Sequence, residues 1–306
     1  MVPLLLVIKS NQVDHKIPMS AFYDNMGISR QGFHKAFKAY ERTQVMMCQI
    51  SKMVSELREK IDCRAGSRTS YFNLAIKEKF DIGVTKFEQL MSKNGLTLKQ
   101  LRVRIITTKS SLQSWNYSNL ADGLILDNIN QLVVGDLTYI YLAGKRYYLF
   151  CLIDIYSAYI VGFHVGKRMR SIDAEQALLA WIELRMLENI LNCIHHTDGG
   201  SQYFAARYLS ILNDAEVRIS CARNCLQNGY AEQRNGFIKH HLLPLINMNN
   251  NNPMRAIGKL IKTYNEKRKQ QKLGWLSPAE FEKQISKMDQ RPERKLFNFT
   301  KVKNGF

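Results

Sequence analysis

The 306-residue chain predicts an α/β fold, a mixed sheet flanked by helices and preceded by a basic helical region. Three observations lead there. Near Leu132 the apolar pattern changes from steps of three and four residues to runs rich in Val, Ile, Tyr and Phe. From there strand-like and helix-like stretches follow one another in the order strand, strand, strand, helix, strand, helix, strand and then helices. The charge is also uneven: residues 1–120 carry 19 basic and 9 acidic groups, 121–285 carry 19 and 15, and 286–306 carry 6 and 2.

From Ile17 to Glu41 two helices are expected, PMSAFYDNMG and ISRQGFHKAFKAYER, with Gly27 closing the first and Ser29 capping the second. That is either a helix-turn-helix presenting Arg30, Gln31, His34 and Lys35, or two packed helices with a solvated polar face. A separate amphipathic helix follows over Gln44 to Ile61. After the CRAGSRTS break, one helix is capped by Ser70 and runs to about Phe80. Another runs from a Thr85 cap to a Gly95 stop, and LTLKQLRVRI begins one more before a linker at Lys109 to Trp115. QLVVGDLTYIYL and KRYYLFCLIDIYSAYIVGFHV read as an antiparallel meander. SIDAEQALLAWIELRMLE is a helix capped by Ser171, CIHHT a strand, FAARYLSILNDA a helix and VRIS a short strand. Helices close the chain over Asn228 to Leu243, Pro253 to Lys269 and Ser277 to Lys287. The expected organisation is thus a helical basic region over 1–115, an α/β core over 125–285 and a basic tail over 286–306.

A formal charge of +18 favours a polyanionic partner, nucleic acid before an anionic membrane surface. No run approaches the roughly 20 apolar residues of a membrane helix, and MVPLLLVIK lacks the basic region and cleavage site of a signal peptide. Six scattered cysteines, Cys151 and Cys193 among them in apolar runs, indicate reduced thiols and a cytosolic protein. Cys221 and Cys225 form one close pair, and a zinc site needs a second.

Candidate chemistry centres on NCIHHTDGGSQY, where a short β run delivers Asp198 into a turn made by Gly199 and Gly200. Asp136 interrupts an otherwise buried run in VVGDLTYIY, and Glu232 lies in a polar helix start. If the first strand of the sheet sits beside the fourth, Asp136 and Asp198 become neighbours although they are 62 positions apart. Converging carboxylates suit Mg²⁺, a hard cation that leaves positions for water and phosphate oxygens, and such a site serves phosphodiester cleavage and strand transfer. Each acid also has an ordinary reading: a strand-edge acid, a turn former or a helix-dipole acid. Asp154 in CLIDIY repeats the oddity of Asp136 and either supports the site or caps its strand. Ser201 and Gln202 shape the loop after Asp198. Lys239, seven positions after Glu232, falls on nearly the same helical face and is placed to contact a phosphate. The run from Arg234 to Lys272 has nine basic residues and one acid, Glu266, which suits phosphate tracking.

Five segments in order, NQLVVGDLTYI, LIDIYSAYIVGF, HHTDGGSQY, ARNCLQNGYAEQRNGFIK and TYNEKRKQQKLGWLSPAEFE, resemble the integrase-core transposases of bacterial insertion sequences. Within these the chain is similar to the catalytic second-frame product of the class encoded by two overlapping frames. GISRQGF, YFNLAIKEKF, FEQLMSKNGL and YSNLADGL extend the likeness upstream. The resemblance implies a ribonuclease-H-like fold and an Asp, Asp, Glu metal site at Asp136, Asp198 and Glu232, with Mg²⁺, or Mn²⁺ in its place. It implies a supporting role for Asn228, while a supporting role for Gly200 and DNA contacts at Lys239, Arg234, Arg268, Arg30 and Lys35 are expected from the residues themselves. Tyr264, Asn265, Arg268, Leu273, Gly274, Ser277 and Pro278 match the family's C-terminal signature. Three departures stand out: a shortened Asp198 to Glu232 interval, Val133 where the family has tryptophan, and Gln270 where it has histidine. The implied partners are double-stranded DNA at element ends and target, further copies of the chain and a first-frame product, in a bacterial cytoplasm at the nucleoid, without membrane. The rival expectations are a DNA-binding regulator with a degenerate core and a nuclease that hydrolyses without joining.

Overall fold

The computed structural model describes residues 20, 23–24, 27–99, 117–222, 229–246 and 252–296. The first expected helix and the expected helix from Leu96 lie largely outside these residues, as does the linker. The chain divides into two compact units: residues 1–56 with 74–97, and residues 57–73 with 98–306. Residues 57–73, expected within the N-terminal region, therefore pack with the sheet.

In the first unit the turn at Gly27 is as expected. Its φ is +62°, and the Gly27 and Ile28 amides donate back to Asp24 and Tyr23. Ser29 Oγ accepts from the Gly32 amide at 3.0 Å, a side-chain N-cap. The two helices expected after it are one, α1 (Arg30–Lys60). Neither Gly nor Pro interrupts residues 33–60, and Thr43 hydrogen-bonds back to Ala39 O at 2.8 Å, so nothing breaks the ladder. The helix expected over 70–80 is instead split by Ala75 in a left-handed conformation into α2 (Ser67–Asn73), which belongs to the second unit and buries Ser70, and α3 (Ile76–Phe80) of the first. In α4 (Val84–Lys93) Gly83 is the N-cap, with no contribution from Thr85, and Gly95 ends the helix at φ +67°. Among the described residues of this unit Phe33, Met47, Ile50, Val54, Ile76, Phe87, Leu90 and Met91 are the buried hydrophobic side chains.

The second unit holds the sheet. A two-residue strand, β1 (Ile125–Leu126), precedes β2 (Leu132–Leu142), β3 (Lys145–Asp154) and β4 (Ile160–Gly166), which form the expected meander. Then come α5 (Ser171–Arg185), β5 (Ile194–Thr197), α6 (Ala206–Asp214), β6 (Arg218–Cys221), α7 (Gly229–Phe237), α8 (Pro253–Lys267), α9 (Pro278–Ile285) and β7 (Arg294–Lys295). The five-stranded order is β4-β3-β2-β5-β6, with β2, β5 and β6 parallel. The first long strand is thus central and beside the fourth, as the convergence of the two aspartates requires. Ser171 does not cap α5; Asp173 in its first turn pairs instead with Arg170.

Each sheet face has its own core because side chains alternate along a strand. Leu132, Val134, Ile140 and Leu142 pack with Ile238, Leu242, Ile257, Ile261, Tyr264 and Phe281. Val133 joins Phe150, Leu178, Trp181, Tyr208 and Leu212 on the other face. There α5 lies close against β4: a Cβ at Gly162 would come within 2.3 Å of Ala177 O. The expected basic tail is partly structural, since β7 returns to pair antiparallel with β1. Ser277 and Glu280 close a capping box on α9. The five described cysteines are free, and no described helix is long and apolar enough to cross a membrane.

Candidate active site

Parallel pairing of β2 with β5 sets Gly135 opposite Thr197, so the residue after each is an aspartate, Asp136 and Asp198 side by side at the end of the pair. Gly135 is required there, because a Cβ would sit 2.9 to 3.1 Å from Leu152, His195 and Thr197. Below the acids His195 is sealed in, with Nδ1 against Val133 O at 3.2 Å and Nε2 against Tyr208 Oη at 2.8 Å; burial pushes its pKa down to about 4, so it stays neutral.

The carboxylates are held differently. Asp136 accepts from the Leu137 amide at 2.8 Å through one oxygen and from Asn235 Nδ2 at 2.7 Å through the other. Asp198 accepts from the Gly200 amide at 3.1 Å, and burial pushes its carboxyl up against the pull of that bond. Gly200 permits this loop: a Cβ would lie 2.4 Å from Gln202 Nε2 and 3.0 Å from Asp198 Oδ1. Gln202 is buried and Ser201 exposed in the tight turn Ser201–Phe204. Tyr203, in the same turn, has a buried hydroxyl without a hydrogen-bond partner, and its phenol is raised well above its ordinary range by burial and then by the charges of Asp198 and Asp136. Asn235 Oδ1 is likewise buried and unpartnered.

Glu232 lies in α7, which packs against β2, one turn before Asn235; its side chain and all of Asn228 fall outside the described residues. Among the described residues no three His, Cys, Asp or Glu side chains are grouped to hold a metal. The two aspartates nevertheless fit a hard cation: both offer oxygens, Asp198, whose carboxyl is pushed up by desolvation, gains from a positive neighbour, and two orphaned polar atoms border them.

Sequence reasoning missed Asn235 and Tyr203. The signal for Asn235 was its i+3 spacing from Glu232, and for Tyr203 its place in the loop after Asp198. Of the other side chains, Asp154 takes the second of its two expected roles, closing its strand, while Arg268 and Arg234 lie otherwise than expected. Asp154 is fully buried at the far end of the sheet, opposite Val133, where it accepts from the Asn130 amide at 2.7 Å and from the Ser157 amide at 3.0 Å. It holds a turn. Arg268 is not turned toward a DNA surface: its Nε bonds Asp62 at 3.1 Å with the guanidinium 13% exposed, and it stacks on Phe237. Arg234 is likewise directed inward, to Tyr264 Oη and Gln270 Oε1 at 3.1 Å each. Gln270 also donates to Tyr264, and Asn265 bonds the backbone of Ile160, so the C-terminal signature braces α7 and α8 against the sheet. Lys239 is not simply two α-turns beyond Glu232, because α7 gives way to a π-helical turn at Ile238–Leu242. Its Nζ lies 4.0 Å over the Tyr139 ring, with burial lowering its pKa and Asp136 opposing that shift. Arg30 and Lys35 are exposed on α1.

Residues 127–225 match the model of the integrase core domain. The chain is 31% identical over 212 residues to the 31 kDa protein of insertion element IS600 from Shigella sonnei, covering 68% of this chain and 77% of that one. It belongs to the insertion-sequence transposases with an integrase-type core. With the transposase for insertion sequence element IS629, also from Shigella sonnei, identity is 28% over 217 residues, covering 68% of this chain and 70% of that one. Among solved structures it is similar to the integrase catalytic core of HTLV-2 in complex with magnesium, at 21% identity and a TM-score of 0.42, covering 54% of this transposase and 99% of that core. The sheet, with three antiparallel strands followed by two parallel ones and helices on both faces, is the ribonuclease-H-like arrangement expected.

Proposed function

We propose that this DNA transposase cuts the ends of its element and joins the freed 3′-hydroxyl to target DNA at one site, in which Asp136, Asp198 and Glu232 would hold Mg²⁺. The adjacency of Asp136 and Asp198 across the parallel β2–β5 pair carries this reading. Bound there, the ion supplies Lewis acidity toward phosphate oxygens and eases loss of a proton from a water or hydroxyl; Mn²⁺ has the same chemistry.

The protein's own groups do the rest. Asn235 fixes the Asp136 carboxylate in one orientation, so little rearrangement is left for the reaction. Asp198, with one described hydrogen bond and its carboxyl pushed up by desolvation, has most to gain from a cation. Glu232 joins them from α7, one helical turn from the residue that touches Asp136. Lys239 lies within electrostatic reach of Asp136 and neutralises a phosphate of the bound strand. Arg30 and Lys35, exposed beyond the capped start of α1, contact the duplex of the element end. Work on two ends calls for at least two copies of the chain, with the first-frame product as an additional partner, in the cytoplasm at the nucleoid.

The test is a strand-transfer assay with the purified full chain, labelled duplex DNA carrying the element termini and a target plasmid. With Mg²⁺ or Mn²⁺ we expect nicked termini and joined products, and with EDTA neither. Nicking without joining leaves only the hydrolytic nuclease, and binding without turnover in either metal leaves the regulator.

A further inference from the structure

Strand β2 continues well beyond its pairing with β5. From Asp136 to Leu142 its one strand partner among the described residues is β3. Exposed edges are ordinarily blunted by charge, Pro or bulges. Here the odd positions facing away from the Ile140 and Leu142 core are aromatic: Tyr139 is 52% and Tyr141 60% exposed. Across the hairpin Tyr139 pairs with Tyr148 and Tyr141 with Arg146. The Tyr139 and Tyr141 rings meet edge to face at 6.0 Å, and the Arg146 guanidinium lies 5.7 Å from the Tyr148 ring. Lys239 covers one face of Tyr139 at 4.0 Å. These four side chains and Lys239 make a patch of aromatic faces and cations without an acid of their own. That is the combination that binds single-stranded nucleic acid, bases on rings and phosphates on cations. At about 3.3 Å per strand residue, Tyr139 and Tyr141 lie roughly 10 and 17 Å along the strand from Asp136. An unpaired strand bound at the acids therefore reaches both rings within a few nucleotides of the reacting phosphate.

We propose that Tyr139 and Tyr141, with Arg146 and Lys239, form a stacking platform for an unpaired DNA strand within a few nucleotides of the reacting phosphate. The proposal rests on Asp136 marking the reaction centre. It adds a preference for ends whose strands are locally separated, and because every base has a π face that preference does not depend on sequence.

The test compares binding of the full chain, without divalent metal, to a fluorescein-labelled blunt duplex and to the same duplex ending in a five-nucleotide single-stranded fork. We expect the fork to bind more tightly. Tyr141→Ala should remove about tenfold of fork affinity while leaving blunt affinity unchanged, and Tyr141→Phe and Tyr141→Trp should keep it, because the ring does the work. Both positions are surface-exposed, and an unchanged melting temperature checks that the variants fold. Equal affinity of the wild type for fork and blunt DNA, or an equal loss on both with Tyr141→Ala, overturns the platform. The catalytic reading fails separately: a Tyr141-dependent fork preference without cleavage in Mg²⁺ leaves the platform standing and removes the transfer reaction. Cleavage without the preference does the reverse. If a protein partner occupied the ridge instead, Tyr141→Ala would change neither DNA affinity, and the proposal would fall.

Discussion

Asp136 and Asp154 pose one anomaly twice: a carboxylate inside a run of large apolar β-formers, on strands that pair with each other. Their environments are opposite. Asp154 is fully buried and saturated by the amides of Asn130 and Ser157 and the Ser157 hydroxyl. Asp136 is half-buried and is oriented by a side chain from another helix. The difference comes from strand direction. Because β3 runs antiparallel to β2, its last residue lies at the opposite end of the sheet, opposite Val133, while Asp136 follows the last residue paired to β5. A buried acid surrounded by turn amides serves stability, and the proposed catalytic role falls to the one beside a second acid at the mouth of a parallel pair.

Substitutions at the two positions sharpen that contrast. Asp136→Asn and Asp198→Asn should each lower metal-dependent strand cleavage by about a thousandfold or more while DNA affinity holds. Full activity in either variant in a cleavage assay would remove the site assignment. Asp154→Ala strands two buried backbone donors and should cost about 3 kcal/mol of stability in urea unfolding, with cleavage per folded molecule unchanged. If Asp154→Ala instead abolished cleavage without lowering stability, the contrast between the acids would be wrong.

Smaller effects probe the supports. Asn235→Ala frees one oxygen of Asp136 and should lower cleavage roughly 10- to 100-fold, with more Mg²⁺ needed for half-maximal rate. A change in stability alone would make Asn235 a packing residue. Lys239→Ala should weaken DNA binding evenly across sequences and reduce the slope of log affinity against log salt by about 1. Arg268→Ala should leave that slope unaltered and destabilise the fold, because its guanidinium serves Asp62.

Much of this was legible in the chain because it rests on local chemistry. The meander, the helix after it, the β run ending at Asp198 and the glycines at 27 and 95 follow from side-chain period and turn preference, which act over a few residues. The division of α2 from α3 at Ala75 was not legible, since no Gly or Pro marks it, and neither was the continuity of α1 past Glu41. The brief β1–β7 pair joins residues about 170 apart through two-residue strands, too short to show a period. The inward turn of Arg234 and Arg268 was hidden for a related reason. A basic residue in a basic run looks solvated until the fold brings Gln270 or Asp62 to it.

The sequence by itself determined the acids, their strands and the family, because motif order and periodicity are written along the chain. Only the tertiary structure decided which acids meet. Strand order and direction set Asp136 beside Asp198, sent Asp154 to the other end, and brought Asn235 and Tyr203 to the pair. The physical reason is that a carboxylate's role is fixed by the donors, charges and water around it, and those neighbours come from parts of the chain that only folding brings together.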